Sequence, residues 1–289
     1  LVIAALPLVA SAGEGGSSHV LPGATATLID LPPATPGSFF KPMLLHYSGD
    51  ASALTPTAAG LVAGLHVSVD TLVLGGGHTF ETPIFGAHYS VAAFLPYTWL
   101  DLSASVQRPG GPVSRSTTVS DFGDMTVVPI MLAWKTGEWQ IDAMLPVFAP
   151  TGSYEEGRVG NPSLNYWTYH PNIGVAYNGK KSGFNGLLRL GYAINSENNA
   201  TNYESGSILH FEGSMEQLIP AGGGMFALGA EAFYFDQVTC DSGSGAVLCC
   251  FESRTDGIGP VLSYIRPLRQ QTLVLKFKWL PEMKTKNRL

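Results

Sequence analysis

The sequence predicts an all-β fold: a transmembrane antiparallel β-barrel of about twelve strands. Three observations lead there. Apolar residues recur at every second position in one segment after another, the connections alternate between tight turns and long polar loops, and only 13% of the 289 residues are charged. Soluble domains carry roughly 25% charged residues. No apolar run reaches the ~18 residues a membrane helix needs. A chain of this kind that crosses a membrane therefore does so as a closed barrel, which pairs every backbone N–H and C=O within the wall.

The chain opens Leu1-Val-Ile-Ala-Ala-Leu-Pro-Leu-Val-Ala-Ser-Ala12, an apolar stretch closed by a small-x-small pattern. It reads as the end of a secretory signal without its basic leading part. Residues 13–37 lack periodicity and read as an irregular N-terminal segment, and 38–289 as the barrel domain. A first strand is expected over Ser38 to Tyr47, then a polar loop, Ser48 to Ala59. Leu61, Ala63, Leu65, Val67 and Val69 alternate with Val62, Gly64, His66, Ser68 and Asp70, and Gly75-Gly-Gly77 reads as a tight turn. A long strand from Ile84 to Val106 has its apolar set on odd positions before Pro96 and on even positions after it. That slip predicts a bulge or kink at Pro96. Gln107 to Ser120, rich in Gly, Pro, Ser and Thr, reads as a long loop.

The clearest stretch follows. Thr126 to Trp134 and Trp139 to Val147 flank Lys135-Thr-Gly-Glu138, whose Thr-Gly pair makes a hairpin turn. In the second strand Trp139, Ile141, Ala143, Leu145 and Val147 oppose Gln140, Asp142 and Met144. Beyond the loop from Ala149 to Pro162, Trp167, Tyr169, Ile173, Val175 and Tyr177 oppose Thr168, His170, Asn172 and Gly174. Later strands set Leu188 and Leu190 against Arg189, Phe211 and Met215 against His210 and Glu212, Leu228 and Ala230 against Glu231, and Leu275 and Phe277 against Lys276 and Lys278. The apolar faces are aromatic at strand ends and aliphatic between, as in a wall that meets lipid with Trp and Tyr at both interfaces. Eleven strands counted from a periplasmic N-terminus end outside after Trp279. Because such barrels have even strand numbers, a last strand missing from this sequence is expected beyond Leu289.

A net charge of −6 gives no footprint for nucleic acid. Cys240, Cys249 and Cys250 share one Gly/Ser-rich loop. A loop disulfide from Cys240 to either of the others suits an oxidising compartment, and no His stands at zinc spacing. No nucleophile elbow, His-Glu-x-x-His or phosphate loop occurs, so no catalytic, metal or cofactor site is expected.

Several motifs resemble one family. They are Glu14-Gly-Gly-Ser-Ser-His19 with Pro22-Gly23, Phe122-Gly-Asp124, Pro150-Thr-Gly-Ser-Tyr154, Asn161-Pro162 with Asn165-Tyr-Trp167, Asn198-Asn-Ala-Thr-Asn-Tyr203 with Ser205-Gly206, and Gln237-Val-Thr239 with Asp241-Ser-Gly243. Together they resemble the outer-membrane channels involved in the meta-pathway of phenol degradation. The resemblance implies a small monomeric twelve-stranded barrel in the bacterial outer membrane that admits small hydrophobic molecules. The cysteine-rich loop departs from it.

On the barrel reading the polar faces line the lumen, which makes His66, Asp70, Asp142, His170, Asn172, Arg189, His210, Glu212 and Glu231 the candidate lining and gating residues. Arg189 is expected to bridge Glu212 and Glu231 in a belt that neutralises buried charge. His66, Ser68 and Asp70 sit side by side rather than in relay, so they do not read as a catalytic set. The leading expectation is passive uptake of small apolar or aromatic compounds, with outer-membrane lipid around the wall and lateral exit near Pro96. Two alternatives stand beside it: an outer-membrane lipid-modifying enzyme, and a soluble periplasmic β-sandwich that binds a ligand.

Overall fold

The computed structural model describes residues 18–54, 62–108, 111–156, 158, 160–246 and 252–286. One antiparallel sheet forms the wall. Its strands are β1 (Gly37–Leu54), β2 (Val62–Thr79), β3 (His88–Arg108), β4 (Gly111–Phe122), β5 (Met125–Thr136), β6 (Trp139–Ala149), β7 (Thr168–Tyr169), β8 (Asn172–Asn178) and β9 (Phe184–Asn195). A two-stranded hairpin, β10 (Glu197–Asn198) and β11 (Tyr203–Glu204), stands apart in the next loop. The wall resumes with β12 (Ile208–Ala221), β13 (Gly224–Gln237), β14 (Arg254–Leu268), β15 (Gln271–Lys278) and β16 (Glu282–Lys286). β4 with β5, β7 with β8 and β15 with β16 are halves of single wall strands, so among the described residues the meander has eleven strands, as the alternation predicts, with β1 and β15 at its edges. The end with the long loops is called the rim below, and the end with the short turns the base.

The two faces of the wall differ as a lipid-facing sheet requires. On β6, Trp139 and Ile141 point outward and are more than half exposed, while Gln140, Asp142 and Met144 are buried inside. Outward aliphatics such as Ile173, Val175, Leu188, Met215, Leu228 and Ile258 form the middle of a band. Aromatics edge it: Tyr97, Trp99 and Phe122 pack together toward the rim, and Trp139 with Tyr177 and Phe226 with Tyr264 toward the base. A wall of this kind has its apolar surface outside and its polar groups inside, the reverse of a soluble sandwich.

Several expectations for the first third of the chain are corrected. The first strand does not end at Tyr47: the expected loop from Ser48 is strand as far as Leu54, paired with β2. Gly75-Gly-Gly77 does not turn: it lies within β2, paired with β1 on one side and β3 on the other, and the β2–β3 connection spans 80–87. The glycines are there for space, because the rings of Phe94 and Phe39 lie across Gly75 and Gly77 where side chains would stand. Most of the stretch from Gln107 to Ser120 is not a loop but strand, β3 and then β4, continuously paired.

The last correction concerns Pro96. The β2–β3 register runs unbroken through Val73↔Pro96, so no bulge or change of facing occurs against β2. What changes is the environment. Toward the base, outward residues such as Leu95 are apolar; rimward, the same parity gives Trp99, Asp101 and Ser103, while Leu100 and Leu102 are buried on the inner face with Val67. The hairpins β1–β2 and β3–β4 rise past the apolar band, and beyond that band the apolar residues turn to the inner side. On its other side, however, β3 changes partner at Pro96: Phe94 pairs with Thr126 of β5 and Tyr97 with Phe122 of β4.

Candidate functional site in the lumen

The N-terminal segment, irregular in sequence, runs down the lumen from rim to base. At the rim His19 meets Asp124 (Nε2 to Oδ2, 2.8 Å) and Thr168 (2.7 Å), with Phe148 stacked on its ring. Below, Val20 packs against Ala193, Ile208, Phe233 and Phe235. Glu212 then accepts from the backbone N–H of Gly23 and Thr25 and from the Thr25 hydroxyl (3.2, 3.1 and 2.8 Å). Toward the base Asp30, in a short 3-10 turn (Leu28–Asp30), is clamped by Lys41 (2.6 Å) and Lys278 (2.9 Å), and Gln140 donates to Pro32 O. Burial alone would raise the Asp30 carboxyl, but Lys278 and Lys41 outweigh it and hold the carboxyl below its ordinary value. The segment enters β1 at Gly37.

Seven of the predicted lining residues come together inside: Asp142, His170, Asn172, Arg189, His210, Glu212 and Glu231 are all buried. Their pairing is not the predicted belt. Arg189 neighbours Glu212 in the ladder, yet its guanidinium turns the other way, giving Nη1 to Asp142 (2.8 Å) and Asn172 (2.6 Å) and Nε to Thr25 O (2.9 Å). It can do so because Gly174, the ladder partner of both Arg189 and Asp142, has no side chain between them, and the Asp142 carboxylate fills that space. Glu212 is left to hold the N-terminal segment, and Glu231 pairs with Lys278 (3.1 Å). His170 and His210 contact each other at Nε2 (2.6 Å).

His66 and Asp70 are not in the lumen. They lie on the outer face of the rimward β1–β2 hairpin, where His66 pairs with Asp50 (2.7 Å) and Asp70 with His46 (2.8 Å), all largely exposed. The reason is the inversion described above: outside lipid the polar parity is the outer one. The sequence reading also missed His19, Asp30, Lys41, Asp124, Glu216, Lys276 and Lys278. Lys276 and Lys278 had the right alternation to be found; Asp30 and His19 lie in a stretch without periodicity.

The motifs of the upper loops form one polar clasp. Asp124, in the break between β4 and β5, accepts from Ser163 Oγ (2.7 Å), Gly152 N (3.0 Å) and Leu164 N (2.8 Å) besides His19. Burial would raise its carboxyl, but the His19 contact and these donors keep it below its ordinary value. Asn165 donates to Asn198 (2.7 Å), which donates to Tyr154 (3.1 Å), while Asp241 accepts from Tyr203, Gly206 N and Gln237. Asp124→Ala removes the acceptor that four groups share; the 150–165 loop is then expected to be cut by protease in intact cells while the wall still resists. Equal protease resistance of both proteins would contradict this role. Cys240 is disulfide-bonded, whereas Cys249 and Cys250 lie outside the described residues.

Another part of the lumen wall is apolar, flanked by the buried hydroxyls of Thr79, Ser90 and Thr98 on the same strands. Ala92, Val128, Met131 and Met144 are buried together with Phe39 and Phe94 against them. Charges and amides lie on β6, β8, β9 and β12–β15, so the lumen has a polar side bound to the N-terminal segment and an apolar side along β2, β3 and β5. The apolar side ends at Pro96. Pro96 O accepts from Gly123 N (3.0 Å), and Met125 N donates to Thr151 Oγ1 (3.0 Å) rather than to β3, so the ladder is interrupted there. On the outer face beside it lies a groove of about 330 Å³ lined by Phe40, Leu74, Gly75, Gly76, Ala93, Phe94, Leu95 and Met125.

A structure comparison places this fold. The crystal structure of an outer membrane channel from Pseudomonas putida F1 matches with a TM-score of 0.65 at 14% identity, over 93% of this chain and 94% of the other. No curated protein matches the sequence. The model of the family described as "putative MetA-pathway of phenol degradation" matches residues 51–289, and the chain belongs to that family.

Proposed function

We propose that this protein is a passive channel of the bacterial outer membrane that admits small apolar or aromatic molecules and releases them sideways through its wall beside Pro96. The observation that carries the reading is the coincidence of three features at one height: the apolar side of the lumen, the interruption of the β3 ladder, and the apolar groove on the opposite surface. Proline has no N–H to give the missing partner. Each buried CH₂ favours bilayer over water by ~0.8 kcal/mol, so a hydrocarbon at that point gains by leaving through the wall. The polar side, occupied by residues 18–36, offers it no comparable path. The structural neighbour's description as an outer membrane channel supports the same setting.

Ala93 faces outward in the groove and takes no part in the lumen. Ala93→Trp fills the groove from outside, so uptake of toluene into proteoliposomes is expected to slow while ion conductance stays unchanged. Uptake at the wild-type rate would leave diffusion along the barrel axis as the better account. The enzyme alternative finds no support in the placement of its residues: His170 and His210 are buried in the lumen, and His66 pairs with Asp50 on the outer face.

A further inference from the structure

Resting on the lateral route just proposed, we infer that Phe94 is its specificity-determining residue, and that the groove outside it is an exit subsite for compounds of one aromatic ring. Phe94 is the last residue of β3 paired with β5, so its ring stands at the open end of that ladder. It lies half-buried on the lumen side, packed with Ala92, Val128 and Met131. Its seat is Gly75, its ladder partner on β2: a Cβ built there would collide with one edge of the ring. The ring therefore covers bare backbone at Gly75.

The same residue also lines the groove on the outer surface, together with Met125, whose backbone N–H is turned away from β3. Phe94 thus belongs to the lumen's apolar cluster through its ring and to the strip of wall that backs the groove. A molecule passing between β3 and the β4–β5 break has to move past it. The groove's volume, about 330 Å³, is roughly twice the ~150 Å³ in which a dry cavity of another protein holds benzene. Its lining offers almost no polar surface, and the ridges of Phe40, Leu74 and Leu95 bound it. Those limits fit a small ring arriving from the lumen better than a long acyl chain.

The full chain, reconstituted in proteoliposomes, provides the test, with toluene and naphthalene as probes and heat-modifiable migration as the check on folding. Phe94→Ala is expected to raise the naphthalene-to-toluene uptake ratio by roughly tenfold, the lower end of what a steric change in an apolar site produces. Gly75→Ala displaces the ring, so it shifts the ratio when Phe94 is present and has no effect in the Phe94→Ala background. An unchanged ratio in Phe94→Ala, with Ala93→Trp still slowing both probes, overturns Phe94 as the gate and leaves the route standing. If Ala93→Trp also does nothing, the route itself fails. For the subsite, a Leu74→Trp reporter is quenched by brominated phosphatidylcholine, and toluene is expected to relieve that quenching. Quenching that saturating toluene leaves unchanged means the groove holds lipid acyl chains only, and the subsite is wrong.

Discussion

Replacing Arg189 by Ala is expected to lower the stability of the folded barrel by about 3–5 kcal/mol, the cost of breaking a buried ion pair from one side. The guanidinium and the Asp142 carboxylate are both fully enclosed, 2.8 Å apart, and Asn172 and Thr25 O depend on the same group. Without Arg189, Asp142 becomes an uncompensated buried charge beside Gly174. Removing Asp142 as well takes that charge away, so the Arg189→Ala/Asp142→Ala protein should be closer to wild type than Arg189→Ala alone. Arg254, which pairs with Asp236 on the exposed rim at the same 2.8 Å, is the comparison. Its loss should cost under about 1 kcal/mol, since water screens a surface pair and replaces its hydrogen bonds. Urea unfolding from lipid vesicles, followed by tryptophan emission, measures all four proteins. Equal midpoints for Arg189→Ala and Arg254→Ala would mean that the lumen is wet enough to solvate Asp142, and the dry ion pair would be disproved.

How far the sequence carries can be seen at these residues. Side-chain alternation placed Arg189, Asp142, Glu212 and Glu231 inside correctly, because a two-residue period has only two outcomes and lipid on one side decides between them. Alternation says nothing about which inward charge meets which. That depended on Gly174 leaving a path for Arg189, on Glu212 being taken by the N-terminal segment, and on Lys278 reaching Glu231 from two strands away in the chain. His66 and Asp70 went wrong for a different reason. The rule that the polar face is the inner one holds only where the outside is lipid, and the rimward hairpins rise past it. The same change of surroundings made the apolar set on β3 shift by one residue at Pro96, which in sequence is indistinguishable from a bulge. Glycine misled in the same region: three in a row usually turn a chain, but here they make room for two rings within a paired strand.

The second large effect is expected from Lys278→Ala, which should raise single-channel conductance in planar bilayers by an order of magnitude. The described part of the N-terminal segment pairs with no wall strand and is held by few charged contacts; Lys278 makes two of them, to Asp30 and to Gly23 O, and also pairs with Glu231 of the wall. Removing it leaves two buried carboxylates on facing elements, Asp30 with only Lys41 and Glu231 with no remaining ion-pair partner among the described residues. Leaving Asp30 with a single remaining counter-charge in a low-dielectric interior then works against docking. Lys276 is the control: it lies on the same face of the same strand and is also nearly enclosed, but it pairs with Glu216 of the wall at 3.1 Å. Lys276→Ala should cost stability and open nothing. The pH dependence follows from the sign of the Asp30 shift. A carboxylate held below its ordinary value of ~3.9 stabilises docking fully above that pH and loses the contribution only as pH falls through the lower, docked value. Wild-type conductance at pH 5 should therefore equal that at pH 7. A channel that opens on mild acidification, or a Lys278→Ala conductance no higher than that of Lys276→Ala, would show that Asp30 and its lysines do not hold the segment in place.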